Sequence, residues 1–296
     1  MVASMQSTSA GAIVGILLAV HVCMPLLGLR QVVIVGALID LLLGAWLLQR
    51  ALLHWRRQEL GALAAAVVLG TLVVAFTRFD PAVTGSGAYR VGKARVPGEI
   101  LFHADGKTAT VNVWQNVDGT MAISTNGKVD AGFNRGRVGP DDYTMMMLAL
   151  LPSALLPQAK TAAVIGMGSG TSTHTLLLNP RLERVDTIEI EPAIVEGARR
   201  FGAATHLAYD DPRSHIHIED AKTYFARSGQ RYDMIVSEPS NPWVSGIASL
   251  FSREFYAQVK RHLNDDGVFV QWLHLYEISP EMIATVVNAL GAEYAD

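Results

Sequence analysis

The chain has 296 residues, half of them hydrophobic and 17% charged, with a formal net charge of −3. That balance argues against a nucleic-acid binder, which needs a basic surface. The length allows one large or two ordinary domains. A single cysteine, Cys23, excludes a disulfide framework and a cysteine metal site.

The apolar surplus lies in the first eighty residues. Ala10 to Leu29, Val32 to Leu48 and Leu60 to Phe76 are each near the length that spans a bilayer. The first lacks the basic n-region of a signal peptide, and two more follow it. Three transmembrane helices are therefore expected. Asp40 at mid-membrane would cost about 2.5–3.5 kcal/mol on an insertion scale, so it should face other helices. Loop charges divide. Arg50, Arg56 and Arg57 stand against Arg30, Arg78, Arg90, Lys93 and Arg95, and the positive-inside rule gives no orientation.

Pro81, Gly85, Gly87 and Gly92 mark a linker. Short alternating runs then follow at Ile100–His103, Ala109–Trp114 and Thr120–Ser124. Asp105-Gly106, Asp118-Gly119 and Asn126-Gly127 punctuate them, the strongest short-range hairpin signals. A small antiparallel sheet is expected, then a loop over Gly132–Asp142 and a helix over Tyr143–Leu151. The Met145–Met147 cluster reads as core filling.

From Ala162 onward strands and helices alternate, which implies a parallel sheet. Lys160 to Glu191 gives an apolar run, the turn Gly166-Met167-Gly168-Ser169-Gly170, a helix from Thr171, and a second strand ending in Glu189 and Glu191. Glycines let the backbone turn sharply and come close to a ligand. An acid closing the next strand can accept from both hydroxyls of a ribose. This is a nucleoside-binding unit. It is not the dinucleotide fingerprint, because Thr173 stands where a third glycine is needed. Further strands are expected at Ile216–Ile218, Tyr232–Val236 and Gly267–Trp272. Ligands bind beyond the carboxyl ends of such strands. Asp220, Glu238 with Asn241, and Gln271 gather there with Glu189 and the glycine turn.

These motifs resemble the spermidine/spermine synthase (aminopropyltransferase) family. The resemblance runs through the hairpins, the G-x-G-x-G turn, Glu189-Ile190-Glu191, Asp220-Ala221 and the loop Ser237-Glu238-Pro239-Ser240-Asn241-Pro242-Trp243. The nearest likeness is to bacterial membrane proteins that join transmembrane helices to a spermidine-synthase-like domain. The resemblance implies an α/β chain in three parts: a membrane region over 1–80, a small antiparallel β domain over 81–135, and a methyltransferase-like Rossmann domain over 136–296 lacking the last strands.

It further implies transfer of an aminopropyl group from decarboxylated S-adenosylmethionine to a small-molecule amine, with no metal. Gly166, Gly168, Ser169, Gly170, Glu189, Glu191, Asp220 and Ala221 would bind the nucleoside. Glu238 and Tyr143 would be catalytic, and Asn241, Asp130 and Gln271 would meet the amine.

Glu238 and Asn241 depart from the family's D-x-x-D-P loop, and Ser169 replaces an aspartate, so the amine half is the altered half. Two alternatives stand beside this reading. One is a methyltransferase on S-adenosylmethionine. The other is a non-catalytic transporter or sensor of polyamines or nucleosides. A bilayer is the expected surrounding, the bacterial inner membrane, with the soluble part cytoplasmic and a homodimer as a further expectation.

Overall fold

The structure is a computed structural model and describes residues 2–51, 57–76, 79–134, 139–244 and 246–294. Arg56 and Arg78, two of the loop charges weighed above, lie outside them.

The chain begins with helix α1 (Val2–Leu18), a π-helical turn (Ala19–Cys23), α2 (Met24–Ala51) and α3 (Arg57–Phe76). One stretch, Ala10–Leu47, is long and apolar enough to cross a membrane, with a mean hydropathy of 2.4 and none of it buried. Its 38 residues would run about 57 Å if straight. The stretch breaks at Gly28, however, whose φ of 78° is left-handed. The break falls at the end of the first apolar segment, one residue before Leu29. Arg30 donates from its guanidinium to the Val74 carbonyl of α3 at 3.0 Å. At the break, the Leu29 N–H donates to Asp105 Oδ2 at 2.8 Å, fixing the helical turn to the first strand of the β region.

Two one-turn helices, α4 (Pro81–Thr84) and α5 (Ala88–Val91), lead into an antiparallel sheet of β1 (Glu99–Asp105), β2 (Thr110–Gln115), β3 (Met121–Thr125) and β4 (Lys128–Phe133), paired in sequence order. The fourth strand is a correction. It takes up part of the expected loop and was hidden by Asp130 and Gly132, two residues depleted in strands. Helix α6 (Pro140–Leu155) also starts earlier than the sequence suggests, with Pro140 in its first turn.

The remainder folds as β5 (Thr161–Ile165), α7 (Thr171–Leu177), β6 (Arg184–Glu189), α8 (Pro192–Ala198), α9 (Leu207–Asp210), β7 (Ser214–Ile218), α10 (Ala221–Arg227), β8 (Tyr232–Ser237), α11 (Arg253–Lys260), β9 (Leu263–Gln271) and α12 (Pro280–Gly291). Five strands pair in parallel in the order β7-β6-β5-β8-β9. Order reverses at β5, which places a crevice at its carboxyl end.

Strand periodicity explains the layers. In β5, Ala163 and Ile165 face a core shared with Phe225 of α10 and Phe255 of α11, whereas Ala162 and Val164 face Leu176 of α7 and Ala149 of α6. Helix α8 also carries the small sheet. Ile194 and Ala198 pack with Val111, Val113 and Ile123. A Cβ on Gly197 would stand only 3.0 Å from Phe102.

Candidate functional site

The glycine turn closes β5. Gly166, Gly168 and Gly170 have φ of 89°, 52° and 86°, a region that L side chains rarely enter. A Cβ on Gly166 would lie 2.8 Å from the Glu238 carbonyl oxygen, so the turns after β5 and β8 touch through glycine. Gly168 faces Ala131 of β4 at 3.6 Å, which brings the small sheet against the turn.

Glu189 ends β6 and is 5% exposed. Its two oxygens accept from the backbone N–H groups of Met167 and Glu191, each at 2.9 Å. Burial pushes its pKa up to about 7 against those two bonds, and Asp130 and Glu191 add smaller upward pushes. Each oxygen keeps a second acceptor position. Ile190 is 48% exposed between two buried acids and offers an apolar surface at the strand end. Asp220 caps α10, accepting from the Thr223 N–H at 2.9 Å and its hydroxyl at 3.1 Å through one oxygen. Ala221 is buried behind it.

Three sequence expectations are placed elsewhere. Glu191 braces the β1–β2 hairpin: one oxygen accepts from Thr108 N at 2.6 Å, Thr108 Oγ1 at 2.8 Å and Ala109 N at 3.2 Å, and the other from Ala193 N at 3.0 Å. Three of these four donors come from the hairpin and helix α8's first turn supplies the fourth, so the carboxylate ties the two parts together. Tyr143 is 59% exposed on α6, and the same helix turns Met145 inward instead. Ser169 is fully buried, 3.3 Å from Met145 Sδ and 2.8 Å from the Thr171 hydroxyl.

Beyond β8 and β9 the surroundings differ. Seven of the thirteen unpartnered buried side-chain atoms among the described residues lie there: Ser237 Oγ, Glu238 Oε1, both amide atoms of Asn241, Gln271 Oε1 and both ring nitrogens of His274. An unmade bond of this kind costs about 1–3 kcal/mol, so such a concentration marks a place where a ligand supplies partners. Burial pushes Glu238 up to about 7, with the Ser172 hydroxyl opposing it. Gln271 donates from Nε2 to the Trp272 carbonyl at 2.9 Å, leaving its oxygen open. The His274 ring sits between Trp243 at 4.6 Å, Trp272 at 5.2 Å and Tyr276 at 4.5 Å. Burial is the main force lowering its pKa, and Lys128 adds to it.

Asp130 is not open either. Lys128 Nζ donates to its Oδ1 at 2.9 Å and to the Ser240 hydroxyl at 2.9 Å, and that hydroxyl donates back to Asp130 at 3.1 Å. Thr125 binds the other Asp130 oxygen. Neither Lys128 nor His274 was singled out from the sequence. Lys128 sits in a strand hidden behind Asp130, and His274 lies beyond the strand ends where acids were sought. Among the described residues no group of three His, Cys, Asp or Glu is placed to hold a metal ion.

A glycine turn, an acid closing the neighbouring strand, and a crevice where sheet order reverses define a Rossmann-like α/β protein with a small antiparallel sheet against its candidate site. The chain belongs to the spermine/spermidine synthase domain family, whose model matches residues 142–294, just over half of the chain. It is 35% identical over 124 residues to a polyamine aminopropyltransferase of Moorella thermoacetica, covering 42% of this chain and 44% of that protein. It is 28% identical over 140 residues to the enzyme of that name from Bacillus subtilis, covering 47% and 50%. The chain thus spans about half the length of these relatives. In fold it is similar to spermidine synthase from Thermotoga maritima, with a TM-score of 0.57 at 22% identity, covering 66% of this chain and 64% of that one. A spermidine synthase in complex with the transition-state analogue AdoDATO gives a TM-score of 0.59 at the same identity and coverage.

Proposed function

We propose that this chain is a membrane-anchored transferase that moves an aminopropyl group from decarboxylated S-adenosylmethionine to an amine. One observation carries the reading. The Glu238 carboxyl, with an unpartnered oxygen and a pKa near 7, lies in a turn that abuts the glycine turn of the nucleoside half. A carboxylate there can take a proton from an attacking amine at neutral pH.

In this reading the glycine turn and Glu189 hold the nucleoside, with Glu189's remaining acceptor positions on the ribose hydroxyls and Asp220-Ala221 beside the base. The amine nitrogen attacks the propyl carbon next to the sulfonium. The C–N bond forms as the C–S bond breaks, the electron pair goes to sulfur, and methylthioadenosine leaves. The proton shed by nitrogen passes to Glu238. A sulfonium is already activated, so placing the amine in line does most of the work. Asn241 and Gln271 orient the amine. The roles divide over residues 1–80, 81–135 and 136–296. The first part anchors the chain in a bilayer, with the rest on the cytoplasmic side, where the nucleoside is made. Two relatives named polyamine aminopropyltransferase support the reading.

The test is amine-dependent release of methylthioadenosine by the purified full chain, followed by chromatography. Release that needs both the decarboxylated nucleoside and an amine supports the proposal. Methyl transfer from S-adenosylmethionine in its place would replace it with the methyltransferase reading.

A further inference from the structure

Resting on that reading, we infer that the acceptor is a primary amine bearing a single positive charge on an apolar body, taken from or beside the membrane surface, and not a diamine. Two observations converge on this.

The first is charge. Among the described residues at the ends of β8 and β9, Glu238 is the one carboxylate with an unpartnered oxygen. Glu277 is held by Arg90, whose Nε donates to it at 3.0 Å. Asp130, on β4 across the crevice, is neutralised by Lys128 at 2.9 Å. Asn241, Gln271 and His274 offer neutral polar atoms, and Lys128 and Arg90 both bear on His274. An amine at Glu238 has its counter-charge. A second ammonium farther along would meet amides, a neutral imidazole and two ion pairs already closed, Lys128–Asp130 and Arg90–Glu277. Removing an ion from water without a partner costs several kcal/mol.

The second is shape and place. Around His274 the solvent-facing side chains are aromatic or aliphatic: Trp243 is 41% exposed, Tyr276 59% and Leu275 71%. Exposed apolar side chains grouped at a site mouth mark a surface for an apolar ligand or a membrane. This group is tied to the membrane side of the molecule. Arg90, which grips Glu277, follows Tyr89 in α5. Tyr89 lines a cavity of about 320 Å³ together with Leu29 at the break in α2 and Phe79 just after α3. Contacts through Glu277, Arg90 and Tyr89 thus link this apolar group to the place where the apolar helices meet the β region.

The test compares butylamine, octylamine and dodecylamine with 1,4-diaminobutane at pH 8. The full chain is used in detergent and in phosphatidylcholine vesicles. Calorimetric binding to protein saturated with methylthioadenosine reads preference without needing turnover. Octylamine should bind at least tenfold more tightly than both 1,4-diaminobutane and butylamine. Dodecylamine embedded in vesicles should bind more tightly still if the bilayer is the source, and no more tightly than octylamine if the source is soluble. Trp243→Ala should flatten the chain-length dependence while leaving diamine binding unchanged. Asn241→Asp should raise diamine affinity about tenfold. Retained methylthioadenosine binding certifies the fold of each variant. A wild-type protein that binds 1,4-diaminobutane as tightly as octylamine overturns the inference. Absence of turnover with every amine would instead overturn the transferase reading, while the binding order still decides this one.

Discussion

Glu189 and Glu238 end the two strands that flank β5, and burial raises both to about pH 7. They differ in what they hold. Glu189 takes one backbone N–H on each oxygen, so it is part of the turn it serves. Glu238 has an open oxygen and a surrounding shell of open amides and an open imidazole. In the proposed reading, the half that takes the nucleoside has its acid already hydrogen-bonded, whereas the half that takes the amine keeps its polar atoms for the ligand. A rigid half that positions and an open half that reacts are what an in-line transfer needs.

The sharpest way to break this contrast is at Glu238. Glu238→Gln keeps the shape and removes the base. Turnover should fall by about 10²–10⁴, the range that general-base catalysis supplies, while methylthioadenosine binding stays within about twofold. The wild-type rate should rise through about pH 7 as Glu238 ionises. A pH profile flat from 6 to 8 would remove Glu238 from the chemistry.

The corresponding change at Glu189 should do the opposite. Glu189→Ala strands the Met167 and Glu191 N–H groups and deletes the ribose acceptor. Hydrogen bonds to charged groups contribute about 1.5–3 kcal/mol each, so calorimetry should show nucleoside affinity lower by at least tenfold. Because hydroxyl donors favour the ionised carboxylate, wild-type affinity should also be higher at pH 8 than at pH 6.

Stability gives a third separation. Burial raises the pKa of Glu238 above the ordinary 4.5 of a glutamate, so folding favours the protonated form. Its contribution is fully present below about 4.5 and is lost as pH rises through about 7. Glu238→Gln should therefore melt like wild type at pH 4.5 and be more stable at pH 8, by about 3 kcal/mol. Thermal unfolding at the two pH values measures this. Equal melting at pH 8 would mean that the carboxylate is not desolvated.

Much of this was legible in the sequence because it rests on local signals. Alternating runs, three Gly turns and strand-end acids gave the two sheets and the edge that carries the candidate site, whereas of the three expected spans one stretch among the described residues, Ala10–Leu47, is long and apolar enough to cross a membrane. Three features were not legible, each for a reason of packing across distant parts of the chain. Glu191 reads as a second nucleoside-binding acid, and the sequence does not show that Thr108, more than eighty residues away, donates to it. Asp130 looks open until Lys128 and Ser240 close on it. His274 lies three residues past Gln271 and enters the site through contact with Trp243. Tyr143 came from the family resemblance, and the side of the helix it occupies is set by the packing of α6.

That last point carries the smallest prediction. Tyr143 and Met145 lie on the same helix, two residues apart and therefore on different faces. Tyr143 is 59% exposed, whereas Met145 is 8% exposed and touches Ser169 of the glycine turn. Tyr143→Phe should leave the rate within about twofold and stability within about 0.5 kcal/mol, as surface changes do. Met145→Ala should cost about 2–5 kcal/mol through the cavity it opens and should weaken nucleoside binding by loosening the turn at Ser169. A large loss of turnover in Tyr143→Phe with unchanged melting would return that tyrosine to the reaction, and would require α6 to rotate when substrate binds.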